Sequence, residues 1–140
     1  MTLKQKVFQT EILIQVSDIN YGGHLGNDRF LTVAQEVRVR WLRSQGWSEK
    51  DINNSKCGFL VVEANLKYHH EVFLGQTLVA KLSIGECSMC TCVLYYEFFE
   101  KESLNKVSSI STKLAFFDYS KRKLTKTPTA ILNMLEVPGE

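Results

Sequence analysis

The chain has no apolar run long enough to cross a bilayer as a helix; its longest apolar stretches fall well short. Its first residues, MTLKQKVFQTE, lack the apolar core of a secretory signal. Charge of one sign is lacking too. A net charge of +2 makes no broad basic field, so nucleic acid is not an expected partner. No repeat, low-complexity run or linker divides the sequence. These absences lead us to expect a cytoplasmic protein without a membrane partner, built as a single domain over residues 1–140. With 44% hydrophobic and 23% charged residues, that length suffices for one sizeable core but not for two.

Cysteine is sparse, at Cys57, Cys87, Cys90 and Cys92. Without a secretion signal, disulfides are not expected. A structural zinc site wants four ligands, and no second cluster of Cys or His at zinc-like spacing completes the set begun by CSMCTC. Cys90 and Cys92, two apart in a strand-like run, read as small buried hydrophobes on one face. No metal is expected.

What is present is a clear change of period. Residues 5–16, QKVFQTEILIQV, are rich in β-formers and alternate roughly, which predicts a strand. From Asp28, apolar residues recur at three- and four-residue spacing through Phe30, Val33, Ala34, Val37, Trp41 and Leu42. This predicts a helix over 28–45, stopped by Gly46. Arg38, Arg40 and Arg43 are expected on its solvated side. Ser48 with Asp51 predicts a short helical turn over 48–53. Strands follow at 59–68, 77–85, 91–102 and 107–119, and Thr127-Pro128 is expected to open a C-terminal helix, with Thr127 as its cap. Short connections favour an antiparallel sheet with one face covered by the long helix. The other face and the strand edges are then left to oligomerisation.

Between the first strand and the helix lies SDINYGGHLGNDRF, residues 17–30. Asp18, Asn20 and Asn27 are ordinary turn and cap residues, and His24 can simply hold a loop by a hydrogen bond. The same residues can also line an active site, because histidine is the side-chain type whose ordinary pKa lies nearest neutral and glycines let a substrate approach the backbone closely.

The order of elements, and the run Asp18-Ile19-Asn20-Tyr21-Gly22-Gly23-His24-Leu25-Gly26-Asn27 with Glu36-Val37-Arg38 on the helix, resembles hotdog-fold thioesterases of the 4-hydroxybenzoyl-CoA type. Their motif has the form D-x-D-x-x-G-H-V-N-N. Downstream, Tyr68-His69-His70-Glu71-Val72-Phe73-Leu74-Gly75-Gln76 is similar to the family's strand ending in an aromatic, an acid and a G-D turn. The resemblance implies an α+β hotdog fold, a curved antiparallel sheet wrapped around one long central helix. It also implies a thioesterase that hydrolyses an acyl-CoA without metal or redox cofactor, coenzyme A being part of the substrate, in a homodimer or homotetramer.

The pattern departs at one position. The family's second aspartate, nucleophile or base in the best-studied subgroup, is Asn20 here, which carries no titratable carboxylate. In another branch that the sequence resembles, an amide stands there and an acid about two turns into the helix acts instead. Counted from Asn27 or Asp28, two turns reach Gln35 or Glu36, so Glu36 is the candidate base, with its pKa raised by apolar neighbours. Backbone N–H groups at Asn27 or Asp28 would polarise the thioester carbonyl. Asn20 would orient the carbonyl or the attacking water, His24 is a second candidate base, and Asp18 matches the structural acid. Tyr21, Gly22, Gly23, Asp28 and Tyr68 are the substrate-binding candidates, while Lys121, Arg122 or Lys123 are candidates for the phosphates of CoA. The alternative is a non-catalytic hotdog domain that binds acyl-CoA or an acyl carrier protein.

Overall fold

Strict alternation sets the centre of the sheet. Leu78, Ala80, Leu82 and Ile84 of β3 (Thr77–Gly85) point inward and are fully buried, as are Cys92, Leu94, Tyr96 and Phe98 of β4 (Thr91–Glu100). β1 (Lys4–Leu13), β2 (Cys57–Tyr68) and β5 (Lys106–Asp118) complete an antiparallel sheet in the order β1-β3-β4-β5-β2. A short β6 (Lys123–Leu124) pairs with the end of β5. The computed structural model describes residues 4–20 and 22–136, the side chains of Asn27 and Glu136 excepted.

α1 (Asn27–Ser44) lies on the inner face of this sheet. Phe30, Val33, Ala34, Val37, Trp41 and Leu42 form its buried stripe, at the spacing that one helix face requires. Each large side chain so buried contributes about 1.5–3 kcal/mol. The helix ends where Gly46 takes φ +77° and Trp47 donates to the Leu42 carbonyl at 2.8 Å, a left-handed cap that glycine adopts without strain.

Four expectations need correction. No helix forms over 48–53: Asp51 N–H does bond Ser48 Oγ at 3.2 Å, but Asn53, Asn54 and Lys56 all take positive φ and turn the chain toward β2. Arg38 is not solvated; it falls on the buried stripe of α1 at 7% exposure. Thr127 does not cap α2 (Thr129–Glu136), because its hydroxyl donates to the Ser88 carbonyl at 2.9 Å. Finally, Cys87 and Cys92 are joined by a disulfide, the β3–β4 connection bringing their Cα atoms to 4.0 Å, while Cys57 and Cys90 are free.

The outer face of the sheet is mixed, with Val79, Val93, Tyr95 and Phe99 among its charged and hydroxyl residues. Lys106 pairs with Glu97 at 2.6 Å, Lys81 stands over the Phe99 ring and Lys4 over Tyr95. Three successive apolar residues of β2, Leu60, Val61 and Val62, are exposed, and among the described residues β2 is an edge strand bonded only to β5.

Candidate active site

β1 runs out at Leu13 and the chain tightens into a single 3₁₀ turn, Val16–Asp18. Asp18 holds this turn. Its Oδ2 accepts the Gln15 N–H at 2.9 Å and its Oδ1 accepts Arg29 Nη2 at 3.3 Å, tying the turn to the first turn of α1. The loop then folds back on itself. Asn20 N–H donates to the His24 carbonyl at 2.9 Å, and Gly23 N–H to the Asn20 carbonyl at 3.0 Å, with Gly23 at φ +82°. The Asn20 amide oxygen accepts the Gly22 N–H at 2.9 Å, an Asx turn.

A second set of bonds stitches the loop to the connection between β2 and β3. Leu25 N–H donates to the Val72 carbonyl at 2.6 Å, and His24 bridges Phe73 through the backbone. The His24 ring meets Phe73 edge-on, with centroids 6.2 Å apart. α1 then starts at Asn27 behind Gly26, which has no side chain with which to cap it. The first N–H groups of the helix thus stand at its positive end with no side-chain cap bond from that position.

The site residues fall on two sides of this helix start. On one side, Asp18, Asn20, Gly26, Asp28 and Arg29 line a cavity of about 470 Å³. It shares Asp18 and Arg29 with a groove of about 410 Å³ that reaches Glu36 and Arg40. On the other side, His24, Phe30, Tyr68, His70 and Glu71 line a cavity of about 280 Å³, with the Phe30 and Tyr68 rings 5.2 Å apart. Gly22 and Gly23 are exposed at the loop tip. Tyr21 and the Asn27 side chain lie outside the described residues.

Glu36 does not have the apolar surroundings expected of it. Its side chain is 52% exposed, and Oε2 accepts from Arg40 Nε at 2.7 Å, while Arg40 Nη1 donates to Thr10 Oγ1 and to the Glu11 carbonyl. Nine residues of helix put it roughly 13 Å along the axis from Asn27. The basic run at Lys121–Lys123 follows Asp118, ten residues along β5 from Ser108, which pairs with Tyr68. That is roughly 33 Å of strand, so within one chain this run lies at the far end from the loop. On sequence alone Arg29 has no role, and Glu71 is marked only as the acid in the family-like run 68–76. Arg29 reaches Asp18 across the turn between β1 and α1, and Glu71 approaches His24 because the loop is stitched to residues 72 and 73.

The fold recurs in solved structures. A 1,4-dihydroxy-2-naphthoyl-CoA thioesterase from Synechocystis superposes with a TM-score of 0.81, at 21% identity over 93% of this chain and 96% of that one. A Staphylococcus aureus protein solved in complex with CoA gives 0.81, at 17% identity over 96% of this chain and 84% of that one. At these identities the likeness shows the hotdog fold. A Synechocystis protein with the provisional name esterase sll0410 is 34% identical over 82 residues, 59% of this chain and 49% of that protein. The match spans about half the length of that relative. The model of the thioesterase-like superfamily matches residues 14–135, nearly all of the sequence, and the chain belongs to that superfamily.

Proposed function

We propose that this protein is an acyl-CoA thioesterase, which adds water to an acyl-CoA thioester and releases the free acid and CoA without metal or redox cofactor. The observation that supports it most is the start of α1. A buried glycine, Gly26, exposes the positive end of a helix beside two cavities that together hold the carboxylates, amide and imidazole of the loop. The N–H groups of Asn27 and Asp28 would face the oxyanion as the carbonyl becomes tetrahedral, where fixed donors lower the barrier most. His24 and Glu36 are the groups available to activate water, one in each cavity system. Asn20 is committed to the loop through Gly22, and it would serve by shaping the site rather than by taking a proton. The exposed apolar edge at β2 fits a homodimer or homotetramer.

A panel of acyl-CoAs with a thiol reagent tests this reading. Free CoA should appear with the wild-type protein for at least one acyl group. His24→Ala and Glu36→Gln then separate the two bases, the one that acts costing roughly 100-fold in kcat. Binding of acyl-CoA without release for any acyl group would support the non-catalytic reading.

A further inference from the structure

We propose that Glu71 is a positioning residue for His24, so that an imidazole–carboxylate pair replaces the carboxylate missing at Asn20. The inference rests on the thioester-hydrolysis reading above. His24 Nε2 lies 3.8 Å from Glu71 Oε1, and both side chains open onto the 280 Å³ cavity beside the start of α1. Phe73 and Gly22 set the position of the imidazole. Its backbone is bridged to Phe73, its ring packs edge-on against the Phe73 ring, and Gly22 leaves it room: a Cβ there would stand 2.9 Å from Nε2 and 3.2 Å from Cδ2. At 3.8 Å, His24 and Glu71 form an ion-pair contact rather than a hydrogen bond. A carboxylate closing on Nε2 in the substrate complex would hold the proton on that nitrogen and leave Nδ1 as the acceptor. The other titratable groups on this cavity are Tyr68, His69 and His70 at the end of β2, and His69 Nε2 is 3.2 Å from Ser109 Oγ. The α1 and loop walls are apolar, from Phe30 and Leu25. Glu71 is thus the one carboxylate that faces His24 in this cavity among the described residues.

The step balances without another reactant. His24 takes a proton from water as the water oxygen bonds the acyl carbon, and the carbonyl oxygen becomes an oxyanion against the helix N–H groups. When this intermediate collapses the C–S bond breaks, and the imidazolium returns the proton to the departing sulfur. The products are a carboxylic acid and a thiol, and no proton passes to Glu71 in these steps.

The test is steady-state kinetics on the acyl-CoA that the wild-type protein turns over best. Glu71→Gln should lower kcat roughly tenfold with KM within about twofold. Glu71→Gln added to His24→Ala should cost nothing further, because the two act as one unit. Glu71→Asp should recover part of the loss. Glu71 is largely exposed, so the single Glu71 variants should melt with the wild type, and the double variant with His24→Ala. Turnover that survives Glu71→Gln, or a Glu71→Gln loss that adds in full to that of His24→Ala, overturns the pair and leaves the thioesterase reading standing. A wild-type protein that releases no CoA from any thioester overturns both.

Discussion

Arg38 Nη1 donates to the Tyr96 hydroxyl at 3.0 Å beneath α1, inside the core. The same guanidinium donates from Nε to Glu49 Oε2 at 2.6 Å, and Tyr96 Oη lies 2.8 Å from Thr112 Oγ1. The chain of bonds ties α1 to the 47–56 segment, β4 and β5. Burial pushes the Tyr96 phenol up, and Arg38 stays charged against its own burial because Tyr96 and Glu49 face it. Removing one member strands the others. Arg38→Ala should cost about 3 kcal/mol and Tyr96→Phe about 1–2 kcal/mol in urea unfolding. An Arg38→Ala protein as stable as the wild type would show the network to be idle.

The Cys87–Cys92 bond predicts a thiol count. In denaturant without reductant, a thiol reagent should find two reactive groups, Cys57 and Cys90, and four after reduction. Closing so short a loop is worth about 2 kcal/mol in the chain-entropy picture, so reduction should lower the melting temperature by several degrees. Four thiols before reduction would refute the pairing.

Acid should loosen two turns. The Glu100 carboxylate accepts the Glu102 and Ser103 N–H groups, and Asp118 accepts those of Lys121 and Ser120. These donors hold both carboxyls below the usual range, the Glu102 N–H first for Glu100 and the Lys121 N–H first for Asp118. A carboxyl with a lower pKa folded than unfolded adds stability above its unfolded value, about 4, and loses it as pH falls through the folded value. Urea midpoints should therefore fall between pH 5 and pH 2, and fall less in Glu100→Gln and Asp118→Asn. Equal falls in wild type and variants would remove these two groups from the account.

The edge at β2 predicts how copies meet. Val62 is 56% exposed on a strand with one free side, whereas the apolar side chains of the outer sheet face are half-buried and two of them, Tyr95 and Phe99, lie under lysines. Edge-to-edge pairing through β2 should give a particle of about twice 16.0 kDa in light scattering. Val62→Lys should shift it to the single-chain mass. A mass unchanged by that substitution would place the contact elsewhere.

Where one local rule governs, the sequence could be read to within a residue or two. The β3 boundaries at Thr77 and Gly85 follow from alternation, and the α1 stripe from Phe30 to Leu42 follows from helical spacing. Where long-range contacts govern, it could not. Arg38 sits at a stripe position that its charge argued against, and Glu49 and Tyr96, 11 and 58 residues away, make that burial tolerable. The Cys87–Cys92 pair likewise depends on how the β3–β4 turn closes.

The loop shows the same division. By itself the sequence determined the fold family and the chemistry on offer at residues 17–30, because periodicity, glycines and side-chain types are local properties. Only the tertiary structure decided which groups meet. The Asn20–Gly22 turn and the Glu36–Arg40 pair are local, at i,i+2 and i,i+4, but Glu71 comes to His24 across 47 residues of chain. Proximity of that kind is set by sheet register and by the stitching of His24 and Leu25 to residues 72 and 73, which no spacing along the chain encodes.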